Sequence, residues 1–141
     1  MAARCPKARL LGRARLPRHR VALMPDGYAT LIRDASAMAQ GALWEIAFSD
    51  LASLDRYEGE GYVKITQPVL REDARPIRAL IYMGRAGASS GRAPADYMAG
   101  VIAAAAEIGL AVDYLNALRL LAGETPQPTS RYRAIKRLDL L

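Results

Sequence analysis

The chain has 141 residues, 52% of them hydrophobic and 24% charged, with one Cys and one His. That length and composition fit one core-forming domain and exclude a disordered chain. The single Cys excludes an internal disulfide framework and a multi-Cys zinc site, and the single His excludes the usual two- or three-histidine metal centre.

The net charge of +6 is local, because residues 1–20 hold Arg4, Lys7, Arg9, Arg13, Arg15, Arg18 and Arg20 and no acid, leaving the rest at about −1. No aromatic residue interleaves with these cations, and no nucleic-acid-binding motif accompanies them, which argues against a nucleic-acid partner. No N-terminal apolar run of about 7–15 residues marks a secretory signal. The longest apolar stretch, Met98 to Val112, is interrupted by Glu107 and is too short for the ~20 residues that cross a bilayer. A cytoplasmic protein without a membrane partner is expected.

In chain order, His19–Met24 reads as a strand closed by the turn signal Pro25-Asp26-Gly27. Ala29–Ile32 reads as its partner and Gln40–Ala47 as a third strand. A short helix follows, with Ser49 as N-cap, Asp50 in the first turn, Leu51 and Leu54 on one face and Gly59 as its stop. Two strands come next, Tyr62–Leu70 and Ile77–Met83, joined by the polar hairpin Arg71–Pro76. Gly84–Gly91 lacks both dinucleotide and P-loop spacing and reads as a plain flexible connection. Pro94-Ala95-Asp96 opens a helix running to about Ile108, and a second, shorter helix covers Val112–Leu121. The domain is expected to span residues 1–125, with 126–141 a basic, apolar-tipped tail. Strands first and helices later make an α+β fold.

Few residues offer chemistry. His19 lies between two arginines and is a poor general base, and a lone Cys5 is usually structural. The run Leu54-Asp55-Arg56-Tyr57-Glu58-Gly59-Glu60-Gly61-Tyr62 differs. Glu58 falls in the last helical turn, where the negative end of the helix dipole and the charges of Asp55 and Glu60 should raise its carboxyl pKa. Tyr57 and Tyr62 flank it. A raised carboxyl suits general acid–base work, although a charged helix end before a Gly-rich turn would read the same way.

Leu54-Asp55-x-x-Glu58-Gly59…Gly61-Tyr62 resembles the signature of the γ-glutamylcyclotransferase-like (AIG2-like) family. Arg4-Cys5-Pro6 with Leu11–Leu16, Gly41-Ala42-Leu43-Trp44, Tyr82, Pro94-x-x-Tyr97, Gly109-Leu110 and Tyr114 follow the family's pattern in order. The likeness covers about residues 4–121. It implies a small mixed β-barrel with peripheral helices and a lyase that releases 5-oxoproline from a γ-glutamyl substrate, without metal or cofactor. Glu58 would be the acid/base, and Tyr62, Tyr82 and Tyr97 would line the substrate pocket. The family pattern opens with a strand ending in Tyr-Gly-Ser-Asn, whose amides cradle the glutamyl end and the developing oxyanion. That motif does not occur here, and Ala95 and Ala104 replace a family Ser and Gly. The expectation is that such a strand is encoded upstream of Met1; the alternative is an inactive relative that binds a small ligand or a protein.

Overall fold

The computed structural model describes residues 1, 3–89 and 91–128. The element order is β1 (Arg9–Leu23), β2 (Ala29–Glu45), α1 (Phe48–Glu58), β3 (Tyr62–Arg71), β4 (Pro76–Gly84), α2 (Tyr97–Glu107) and α3 (Val112–Leu121). The fold is α+β, as the order of patterns implies. The expected tail from residue 129 onward lies outside the described residues.

The first two strands are far longer than their apolar alternation suggests. β1 begins ten residues earlier than the expected His19, and β2 runs unbroken through the stretch expected to separate two strands. The glycine and proline in this added stretch sit at irregularities in the ladder. Register shifts fall between Leu10 and Gly12 and between Pro17 and His19, and there Gly12 takes φ 120° and Arg18 φ 60°. A bulge tolerates a proline with no N–H to donate and a glycine of unusual φ. Opposite Pro17–His19, β2 accommodates its extra residues around Asp34, whose carboxylate takes bonds from the Ser36 amide and hydroxyl.

The resemblance implies a closed, mixed barrel; the described strands instead form an open antiparallel sheet in the order β2-β1-β3-β4. The long β1–β2 hairpin joins the β3–β4 hairpin only through Ala14↔Arg71 and Arg15↔Leu70. β2 and β4 are therefore the edges. They approach each other across the concave face but share no ladder, so the sheet stays open.

Two cores result. Helices α2 and α3 pack Met98, Ile102, Ala105, Leu115 and Leu118 against Leu23 at the end of β1. Inside the curl of the sheet, Leu16, Ala39 and Val69 form a smaller cluster. The described ends of the Gly84–Gly91 loop are tied to β1 and β2 and the turn between them. Ser89 donates its N–H to Leu23 at 2.8 Å, Gly84 donates to Thr30 Oγ1 at 2.8 Å, and Gly91 packs against the Met24 carbonyl.

Gly27 sits in the facing turn at φ 85°, where a Cβ would run into the Arg92 carbonyl. Gly27→Ala therefore meets backbone strain and a steric clash together. It is expected to destabilise by about 2 kcal/mol or more, read as a lower midpoint in urea at unchanged slope.

Candidate active site

The concave face of the sheet is a trough of about 690 Å³. Its walls are largely apolar, with Leu16, Leu43, Val69, Ile81, Leu51 and Leu54 among the lining side chains, and it runs between the two sheet edges. Helix α1 crosses one end. Leu54 is buried beneath the helix, and Gly59 ends it at φ 70° with its N–H on the Asp55 carbonyl, as the sequence suggests. The start differs from expectation. Ser49 lies inside the helix, Ala47 is the N-cap without a side-chain bond, and Asp50 is buried, accepting the Lys7 amide at 3.2 Å.

Glu58 is the last residue of α1 and lines the trough. Its carboxyl pKa is raised, and the cause is burial, opposed by the positive charge of Arg4. The direction matches the sequence reading, but the cause does not. Asp55, expected to repel Glu58, is instead tied to Lys64 by contacts of 2.7 and 2.9 Å and accepts the Tyr82 hydroxyl at 2.5 Å. Those bonds, from Lys64 first, hold the Asp55 carboxyl below its ordinary value.

The three tyrosines expected to line the pocket gather around Glu58, whose negative charge raises the pKa of all three. Burial is the largest cause in each case, and it pushes Tyr62 to about 12. At neutral pH they are hydroxyls that donate hydrogen bonds, not bases. Their hydroxyls already have protein partners. Tyr62 donates to the Ala29 carbonyl at 3.0 Å, Tyr97 accepts the Ala29 amide at 3.2 Å, and Tyr82 donates to Asp55. Only Tyr82 shares the trough wall with Glu58. The Tyr97 ring also meets Tyr28 edge-on, with centroids 4.9 Å apart.

Arg4, not singled out from its type or spacing, is the charge acting on Glu58 that sequence reasoning missed. The available signal was its place in the Arg4-Cys5-Pro6 likeness. Cys5 behind it is fully buried. The basic N-terminus proves to be mostly strand β1, with Arg9 on Glu45 at 2.8 Å, Arg13 on Glu72 at 2.6 Å and Arg20 on Asp34 at 3.4 Å. These pairings leave less of a phosphate-binding stripe than the charge count implies. His19 is buried and spends Nδ1 on the Pro17 carbonyl at 2.9 Å. Among the described residues no group of three or more His, Cys, Asp or Glu could hold a metal ion, and no helix is long and apolar enough to cross a membrane.

Solved structures share this fold. The chain is similar to a protein called gamma-glutamyl cyclotransferase, with TM-score 0.79 and 22% identity over 92% of this chain and 82% of that one. It is similar also to the uncharacterized protein loc79017 from Homo sapiens, with TM-score 0.77 and 24% identity over 92% of this chain and 80% of that one. YkqA from Bacillus subtilis matches with TM-score 0.73 and 20% identity over 84% of this chain and 46% of that one. No curated protein matches in sequence. Such identities speak for the fold alone. The sequence model of the AIG2-like family, however, matches residues 39–118, which run from the second half of β2 through the Glu58 helix and the β3–β4 hairpin to α3. With more than half of its length matched, the chain belongs to the AIG2-like family.

Proposed function

We propose that the chain is a γ-glutamylcyclotransferase-like lyase, converting a γ-glutamyl amino acid or γ-glutamylamine to 5-oxoproline and a free amine. The observation that carries this reading is Glu58, a half-buried carboxylate of raised pKa at the wall of an apolar trough, within the family's matched segment. Glu58 takes a proton from the substrate α-ammonium. The freed nitrogen attacks the γ-carbonyl carbon, and the ring C–N bond forms as the carbonyl electrons move to oxygen. Collapse of that intermediate breaks the original amide C–N bond, and Glu58 returns its proton to the leaving nitrogen. The second proton shed by the ring nitrogen is balanced by one that the amine takes from solvent. Nucleophile and electrophile belong to one molecule, so the chain mainly holds the folded-back conformer beside the carboxylate. The reaction calls for no metal or cofactor, and its place is a cytoplasmic pathway such as glutathione metabolism.

Tyr82 is the pocket-lining tyrosine of this scheme, while Tyr62 and Tyr97 shape the surroundings of Glu58. The engaged hydroxyls and the open trough favour a second reading, a family member that binds a small ligand or a protein without turnover. A panel of γ-glutamyl amino acids and γ-glutamylamines separates the two. 5-Oxoproline release is assayed in the chain starting at Met1 and in one lengthened by an N-terminal Tyr-Gly-Ser-Asn strand. Release from any of them supports the lyase; binding without release in both chain lengths supports the second reading.

A further inference from the structure

Arg4 stands apart from its neighbouring arginines. Arg9, Arg13 and Arg20 each pair with a carboxylate; Arg4, Arg15 and Arg18 form no ion pair among the described residues, and of these three Arg4 is the one stacked on an aromatic ring. Its guanidinium carbon lies 3.4 Å from the centre of the Tyr57 ring, and Nη2 donates to the Tyr57 hydroxyl. A guanidinium has five N–H donors, and no other hydrogen bond takes this side chain among the described residues. The stack fixes a partly buried cation on the residue that precedes Glu58, at the last turn of α1. Arg4 is also the one charge that opposes burial at Glu58.

We propose that Arg4 binds the α-carboxylate of the γ-glutamyl group beside Glu58, so that the site selects substrates with that carboxylate free. The inference rests on the cyclotransferase reading. The nitrogen that must reach Glu58 and the α-carboxylate hang from the same carbon. A substrate poised for attack therefore brings a second negative charge close to Glu58 in a half-buried setting, where like charges repel strongly. A fixed cation at that spot removes the repulsion. A guanidinium presents two parallel N–H groups that match a carboxylate, and stacking on an aromatic face leaves those edge donors available.

The test compares γ-glutamyl-alanine with the same compound bearing an α-carboxamide, in wild type, Arg4→Gln and Arg4→Lys, in both chain lengths. Wild type is expected to favour the free carboxylate by about 30-fold in kcat/KM, the scale of a hydrogen bond to a charged group. Arg4→Gln should compress that preference to within about 3-fold, mainly through KM, and Arg4→Lys should keep part of it. Equal use of both compounds by wild type overturns the role of Arg4 without any variant, and so does an Arg4→Gln protein that keeps the full preference. In either case the lyase reading stands. No 5-oxoproline from either compound in either chain length removes the lyase reading and the role of Arg4 with it.

Discussion

Glu58→Gln is expected to lower 5-oxoproline release by about 10²–10⁴, the usual contribution of a positioned acid–base group, while leaving the fold intact. The amide keeps the shape of the side chain but carries no exchangeable acid. A second effect separates this outcome from simple damage. Burial raises the folded-state pKa of Glu58 above its unfolded value, so its ionised form is disfavoured by folding. For such a group the stabilising term is complete below the unfolded pKa, ordinarily about 4.3, and is lost as pH rises through the folded value. At neutral pH the carboxylate therefore costs stability, and Glu58→Gln should melt no lower than wild type at pH 7. Any advantage should shrink as the pH is brought below that range. An inactive variant with undiminished melting temperature fits a residue kept for chemistry at the expense of stability. Wild-type turnover by Glu58→Gln would remove Glu58 as the acid/base.

Lengthening the chain at its N-terminus by a strand that ends in Tyr-Gly-Ser-Asn is expected to raise both activity and stability over the chain starting at Met1. The trough between β2 and β4 leaves two edges unpaired in this sheet and keeps apolar wall exposed, with Leu80 43% accessible and Phe48 91%. An extended segment laid there would pair with the edges and cover the wall. Burying one or two such side chains contributes about 1.5–3 kcal/mol each. That corresponds to a gain of about 10 °C in melting temperature for a domain of this size. The backbone amides of the added loop would supply oxyanion donors, whose loss costs about 10²–10³ in rate. Scanning calorimetry and 5-oxoproline assays on the two lengths decide the matter. Equal activity and melting temperature would mean that the trough as it stands is the whole pocket, and the added strand as its missing wall and source of oxyanion donors would fall.

The parts of the fold legible in the sequence were those whose signals are local. Pro25-Asp26-Gly27, the Gly59 helix stop, the β3–β4 hairpin and α3 each rest on a few adjacent residues. The first half of β1 was hidden because Gly12 and Pro17 look like breakers; only the partner strand shows that both sit at shifts of register. The failure of the sheet to close is a property of two edges far apart in sequence, and no local pattern records it. At the candidate site, the Leu54–Tyr62 run singles out Glu58, and its place at the helix end and the raised carboxyl pKa agree with that reading. The physics around it was not legible there, because Lys64 neutralises Asp55 across a turn and Arg4 arrives from the other end of the chain.

Tyr62, Tyr97 and Ala29 each open an element: a strand, a helix and a strand. Both phenols bond the backbone of Ala29, across separations of 33 and 68 residues. Each bond joins two segments far apart in sequence, and the pair together joins three, so both are expected to form late in folding and outside its nucleus. Tyr62→Phe and Tyr97→Phe should then quicken unfolding severalfold and leave the refolding rate nearly unchanged, a split readable from the two arms of a denaturant chevron.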